Sequence, residues 1–233
     1  MEERKVITVD GLAGSGKTTL SKLLAKKLGY AHLNSGILYR AVGFLALHAG
    51  VDRTDSRSIA DLIAAHSLEL VLDDERATCM LIDGKDHGNA LYQPVVSEAT
   101  SQVSALPEVR TLLVPAQREA FPGYHLVAEG RDMGTVLFPD AALKIFVTVD
   151  VETRVKRRIA QLYGDAEALS EDKIAQVQAE MRREIIERDE RDATRAIAPA
   201  KAADDAVLID NSGQSLTDVI QNMYDCAANK GLI

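Results

Sequence analysis

The run GLAGSGKT, residues 11–18, matches the spacing G-x-x-x-x-G-K-[ST] at every fixed position. Each residue type in it suits the binding of a polyphosphate. Glycines let backbone N–H groups turn inward around phosphate oxygens with no Cβ in the way. A helix starting near Lys17 would add the positive end of its dipole. Lys17 can reach the β- and γ-phosphates, and the Thr18 hydroxyl can ligate Mg²⁺. The nucleotide-binding candidates are therefore Gly11, Gly14, Ser15, Gly16, Lys17, Thr18 and Thr19, with ATP or GTP and Mg²⁺ as the ligands. A guanine-reading N-K-x-D would accompany a switch GTPase. The nearest match, NKGL at 229–232, has Leu232 at the Asp position, which argues against one.

A second set of residues bears on what receives the phosphoryl group. A phosphate monoester has a second pKa near 6, so a phosphate acceptor is already anionic at neutral pH and needs no base. It needs cations instead. SGILYR supplies Arg40 and EGRDMGT supplies Arg131 and Asp132, each just beyond a strand-like run. ERDERDATR, residues 187–195, alternates acid and base densely. Read as one helix, it places Arg188, Asp192 and Arg195 at i, i+4 and i+7 on a common face, with Arg188 and Asp192 able to pair. Taken alone, such a stretch is a solvated charged face. Beside a phosphate loop and two strand-end arginines, it reads as a set of guanidinium groups held for an anionic transition state. TRVKRR, residues 153–158, adds Arg154 and Arg158.

These groups are useful only if the fold gathers them. VITV (6–9), AHLN (31–34), HLVAE (125–129), KIFVTV (144–149) and AVLID (206–210) are short apolar runs separated by helical stretches. That alternation predicts an α/β fold with a parallel sheet covered on both faces, its strand carboxyl ends sharing one ligand-binding edge. Leucines recur at helical spacing over 17–28, Gly29 ends that helix, and another is expected over 36–49. Residues 68–72 and 78–82 read as an antiparallel hairpin, followed by helices near 94–104 and from Pro107. The expected division is a core of 1–59 and 116–233, interrupted by a lobe of 60–115.

Bulk properties restrict the partners. Apolar residues make up 46% of the 233, enough for a core without staples. A net charge of −8 argues against a nucleic-acid or anionic-membrane binder. Cys79 and Cys226 lack a CxxC spacing and read as reduced thiols of a cytoplasmic protein. MEERKVITVDG runs directly into a strand, so no leader is expected, and no apolar run reaches membrane-spanning length.

With those residues in view, the sequence resembles the bacterial cytidylate kinases, nucleoside monophosphate kinases acting on CMP and dCMP. The matching pieces are DGLAGSGKTT, NSGILYR, SQVSALPEVR, EGRDMGTVLFPDA and ERDERDATRAIAP, spread over nearly the whole chain. The phosphate loop says little about substrate; the other four are far more specific. The resemblance implies a P-loop NTPase core with a five-stranded parallel sheet, an inserted α+β monophosphate-binding lobe and a mobile helical lid at about 154–190. It implies that Ser35, Arg40 and Arg131 contact the acceptor phosphate, and that Ser101, Arg110 and Asp132 read cytosine. Arg188, Asp192 and Arg195 would surround the acceptor's ribose and phosphates, and Arg158 would be a lid arginine near ATP. Lys17, Arg131, Arg188 and Arg195 would carry the catalysis, and Glu129 would reach Mg²⁺ through water. A monomer is implied.

Three stretches depart from the family pattern, and in the third Val95 also stands where a glutamate is usual. Asn34 stands where Asp is usual, Glu129 replaces a commoner Asp, and LYQPVV (91–96) replaces an IRTPEV-like run, with Tyr92 at an arginine position. Two other functions are compatible with the phosphate loop. One is a P-loop kinase of another acceptor, such as UMP or a small metabolite; the other is a nucleotide-dependent switch or binding module.

Overall fold

The computed structural model describes residues 4–163 and 171–233. Its centre is a five-stranded, all-parallel sheet in the order β2 (Ala31–Asn34), β6 (Leu126–Gly130), β1 (Val6–Gly11), β7 (Leu143–Thr148), β8 (Val207–Asp210). The strand runs read from the sequence fall within one residue of these, except that β1 continues two residues further, through Asp10 and Gly11. From β1 the chain steps to one side of the sheet, and from β6 it crosses to the other. The carboxyl ends of the strands around β1 therefore frame a crevice where ligands bind in open α/β sheets.

Alternation along the strands explains the two covered faces. Ile7, Val9, Val127, Ile145, Val147 and Ile209 point to one face and are sealed by Leu20 and Leu24 of α1 (Lys17–Leu28) and Val219 and Met223 of α8 (Leu216–Asn229). Ala31, Leu33, Leu126 and Ala128 point to the other, against Phe121, Met133 and Leu137. Each fully buried Leu or Ile is worth about 1.5–3 kcal/mol, so these layers fix the strand register from which the crevice is built.

A second apolar cluster lies beyond β2. It joins α2 (Gly36–Ala49), α3 (Ser56–Ala65), β3 (Leu68–Leu72), β4 (Thr78–Ile82), α4 (Pro94–Val103) and α5 (Pro107–Arg118), with Leu38, Val42, Ile59, Met80, Val103, Val109 and Leu113 at its centre. The antiparallel hairpin forms as expected and gains a third, two-residue strand, β5 (Lys85–Asp86). The sequence reading did not anticipate α3, although Asp55 is a recognisable cap: its carboxylate accepts the Arg57 N–H at 3.1 Å. α2 packs unusually close to α4. A Cβ at Gly43 would lie 2.8 Å from the Thr100 backbone nitrogen, so only glycine permits the approach.

A third, smaller cluster joins α6 (Val151–Tyr163) to α7 (Glu171–Thr194) through Val155, Ile159, Val177 and Met181. Most of the lid expected at about 154–190 falls on these helices; its residues 164–170 lie outside the described residues. Among the described residues no helix is long and apolar enough to cross a membrane.

Candidate active site

The phosphate loop joins β1 to α1, and its backbone is set by two features. Gly14 and Gly16 take positive φ of 74° and 83°, and a Cβ at Gly16 would lie 2.8 Å from Asn211 Nδ2. The loop carbonyls, which would repel a phosphate, are drawn outward. Asn211 Nδ2 donates to Ser15 O at 2.8 Å, and Arg154 Nη1 to Ala13 O at 3.1 Å. Arg157 Nη2 in turn donates to Asn211 O at 2.9 Å. With Ala13 O and Ser15 O held this way, and Ser15 N–H donating to Leu12 O at 3.3 Å, the remaining N–H groups of the loop are available to an anion. Asn211 and Arg157 were not picked out from sequence; Asn211 sits at the carboxyl end of β8, the one signal that marks it.

Lys17 folds back on the loop, its Nζ 3.2 Å from Leu12 O. Burial pushes its ammonium down to about 7, Arg131 and Arg188 push the same way, and Glu129 and Asp192 oppose them. An amine so crowded by cations gains a great deal when an anion arrives.

Beside it, Thr18 Oγ1 donates to Glu129 Oε2 at 2.9 Å. Glu129 is the next-to-last residue of β6 and is only 1% exposed, yet its other oxygen, Oε1, is buried without a hydrogen-bond partner. A threonine hydroxyl whose proton is held by a carboxylate keeps its lone pairs for a cation. The unpartnered Oε1 suits a metal-bound water. Mg²⁺ keeps several waters and uses one or two protein oxygens beside substrate phosphates, so this donor set fits it.

The strand-end arginines do gather opposite this loop. Arg40, on α2, donates through Nη1 to Leu91 O and Ser97 Oγ, each at 3.0 Å, and lies 4.9 Å from the Tyr92 ring centre. Arg131, just past β6, pairs through Nε with Asp192 Oδ2 at 3.1 Å. Burial lowers the Arg40 guanidinium, with Arg158 and Arg131 adding to it. Burial likewise pushes Arg188 down to about 10, helped by Arg131, Arg40 and Arg158 and opposed by Asp192. Arg188 Nε is buried without a partner. Four guanidinium groups and Lys17 thus converge with Asp192 and Glu129 as their nearest counter-charges, an arrangement that asks for an anion. Arg158, expected only near the donor, lies within the field of the acceptor-side arginines as well.

Two details of the ERDERDATR reading need correction. α7 ends at Thr194, so Arg195 is not on the helical face with Arg188 and Asp192. It leaves the helix and turns back, donating through Nε to Ala198 O at 2.5 Å and placing Nη2 3.5 Å from Asp132 Oδ1. The i,i+4 pairing of Arg188 with Asp192 also gives way, because the Asp192 carboxylate faces Arg131 at 3.1 Å and Arg195 at 3.9 Å. A partner from another element that is already desolvated outcompetes a helical neighbour. Arg191 points elsewhere, to Glu98 at 3.3 Å on the outer surface.

Asp132 lies between two arginines. Arg110 Nη2, from α5, donates to its Oδ2 at 2.5 Å, and Arg195 approaches Oδ1. Ser101 Oγ, on α4, is buried without a hydrogen-bond partner. Ser35 is satisfied internally: its hydroxyl donates to Glu129 O at 2.7 Å. The segment carrying Arg131 and Asp132 is held by Asp10, whose two carboxylate oxygens accept the Met133 and Gly134 N–H groups at 2.9 Å each. Burial raises the Asp10 carboxyl to about 6 against those two hydrogen bonds. Asp10 closes β1 directly before the phosphate loop, and so ties the donor loop to the acceptor turn.

With this geometry in place, comparison with known proteins is specific. The family model for cytidylate kinase matches residues 7–229. A cytidylate kinase from Stutzerimonas stutzeri (strain A1501) is 41% identical over 230 residues, spanning 97% of this chain and 96% of that protein. One from Pseudomonas aeruginosa (strain LESB58) is 41% identical over 227 residues, spanning 97% and 96%. One from Carboxydothermus hydrogenoformans is 37% identical over 224 residues, spanning 96% and 97%. A glycine-rich turn between β1 and α1, with guanidinium groups from separate elements around its Lys17, is thus carried by a chain that belongs to the cytidylate kinase family.

Proposed function

We propose that the chain transfers the γ-phosphoryl group of ATP to the phosphate of CMP or dCMP, giving ADP and CDP or dCDP. The observation that carries this is the convergence of Arg40, Arg131, Arg158 and Arg188 with Lys17 at the mouth of the phosphate loop. In the transfer, an oxygen of the acceptor phosphate forms a bond to the γ-phosphorus as the bond to the β-bridging oxygen breaks. No side chain needs to take a proton, because the attacking oxygen is already ionised. The barrier is lowered by alignment and by cations fixed where charge spreads over the transferring group. Thr18 and, through water, Glu129 would hold Mg²⁺, which when bound would further neutralise the phosphate oxygens.

In this reading Gly11, Gly14, Ser15, Gly16, Lys17, Thr18 and Thr19 bind the ATP phosphates, with Arg158 closing over them. Ser35, Arg40 and Arg131 hold the acceptor phosphate, and Arg188 and Arg195 bridge toward the transferring group. Asp192 meets a sugar hydroxyl. Cytosine offers an exocyclic amine donor and two acceptors at N3 and O2, which suit the Asp132 carboxylate and the donors of Arg110 and Ser101. The unpartnered Ser101 hydroxyl and the pairing of Arg110 with Asp132 support that assignment. Residues 60–115 act as an inserted acceptor-binding lobe within a core of 1–59 and 116–233, and about 154–190 as a lid whose closure excludes water. The charge of −8 and the two free cysteines fit a cytoplasmic enzyme with small-molecule partners rather than nucleic acid, working as a monomer.

Coupled detection of ADP release across CMP, dCMP, UMP and AMP tests this. A clear preference for CMP or dCMP is expected. Equal turnover of all four, or turnover of UMP or a metabolite alone, would replace it with another P-loop kinase activity. Nucleotide-dependent binding without turnover would indicate a switch.

A further inference from the structure

His32 lies inside β2, on a strand where an apolar residue would serve the core. Its partners explain the choice. In the parallel register of β2 on β6, His32 opposes Val127 and Asn34 opposes Glu129, so His32 and Glu129 project from the same sheet face, one step apart diagonally. His32 is 4% exposed and Glu129 1%. His32 Nε2 lies 3.5 Å from Glu129 Oε1, and both atoms are buried without a formed hydrogen bond. The contact is a loose, desolvated approach that a few tenths of an ångström would convert into a bond. Glu129 Oε2, meanwhile, holds the Thr18 hydroxyl at 2.9 Å. The His32 backbone is pinned as well: its N–H donates to Arg76 O at 2.9 Å, and its carbonyl accepts from Thr78 Oγ1 at 2.6 Å.

We infer that His32 is a positioning residue for the divalent cation: it fixes the Glu129 carboxylate through one lone pair of Oε1, which keeps Oε2 on the Thr18 hydroxyl, aims the Thr18 lone pair at the metal and leaves the second lone pair of Oε1 for a metal-bound water. The Glu129 side chain has one more methylene than an Asp, hence one more torsion to restrain, and His32 supplies the restraint. The metal assignment rests on the nucleotide-binding part of the proposed function. It does not depend on which acceptor is used.

The test is Mn²⁺ binding to the intact protein with ATP and no acceptor, read by electron paramagnetic resonance, in three variants. His32→Leu should weaken Mn²⁺ about tenfold, the lower end of what removing an outer-sphere contact costs. His32→Gln, which can place an N–H near the same point, should recover most of that. In a Glu129→Asp background His32→Leu should have little further effect, because the shorter arm no longer reaches it. CMP affinity, measured by calorimetry without ATP, should stay within twofold throughout. Unchanged Mn²⁺ affinity in His32→Leu would overturn the inference. So would equal loss in His32→Gln and His32→Leu, or an effect in the Glu129→Asp background as large as in the parent. Loss of CMP kinase activity specificity with the Mn²⁺ pattern intact would instead refute the acceptor assignment and leave the role of His32 standing.

Discussion

In the proposed reading, the donor pocket and the acceptor cradle would bind anions by opposite routes. The donor pocket is eight consecutive residues, and its attraction is mostly backbone: N–H groups in a glycine-permitted turn and a helix start. The acceptor cradle has almost no backbone component. It takes Arg40 from α2, Arg110 from α5, Arg131 and Asp132 from the turn after β6, Arg188 and Asp192 from α7 and Arg195 from beyond it. The loop's backbone conformation is set locally and only buttressed from afar, by Asn211 and Arg154, whereas the distributed cradle exists only when every element is in place.

The largest effect that would sharpen the contrast comes from the cradle. Arg188→Ala or Arg131→Ala should lower kcat/KM by about 10³-fold, in line with arginines that neutralise a transferring phosphoryl group. ATP affinity should fall far less. Steady-state kinetics with both substrates varied reads this. If either change instead weakened ATP and CMP equally with kcat preserved, the cradle would be a binding site only.

Next is base recognition. Asp132→Asn should reduce discrimination between CMP and UMP by about 10–100-fold, because the carboxylate facing the exocyclic amine becomes an amide that can donate or accept. The ratio of kcat/KM values for the two acceptors measures it. An unchanged ratio would move cytosine reading elsewhere.

The donor loop should respond differently. Gly16→Ala places a side chain at φ 83° and 2.8 Å from Asn211 Nδ2, which holds Ser15 O. A loss of about 1–2 kcal/mol in stability is expected from the left-handed backbone, together with weaker ATP binding and near-normal CMP binding. Urea unfolding and two calorimetric titrations check it. Equal damage to both ligands would break the separation of the two regions.

The smallest effect is a proton. In the free protein Lys17 titrates at about 7, below the ordinary lysine range, so between neutral pH and that range the unfolded chain binds more protons and stability rises with pH. A bound phosphate draws the ammonium back up. At pH 8 nucleotide binding should therefore take up as much as about one proton that Lys17→Met does not, and at pH 6 the difference should vanish because Lys17 is already charged. Calorimetry in two buffers of different ionisation enthalpy reads the uptake; the same uptake at both pH values would assign it to another group.

The sheet strands, the hairpin and the phosphate loop were legible in the sequence because each is specified by neighbours along the chain: an apolar period, a cap, a glycine at a fixed offset. α3 was equally local and was missed although Asp55 marks its start. The roles of Arg154, Arg157 and Asn211 were not legible, because a lone Asn after a strand or an arginine on a helix has many ordinary uses. Only their distance to the Ala13 and Ser15 carbonyls gives them meaning.

By itself, the sequence determined that a phosphate-binding turn joins a buried strand to a helix, and that several arginines follow strand ends, since backbone conformation and periodicity depend on residues close in the chain. Tertiary structure decided the main acid partners of Arg110, Arg131 and Arg154, which come from distant parts of the chain. Helical spacing offered Asp192 to Arg188, and the fold gave it to Arg131 and Arg195. It also decided that His32 would face Glu129. The reason is physical: a charged side chain's partner is set by distance and desolvation in the packed state, and neither is encoded in separation along the chain.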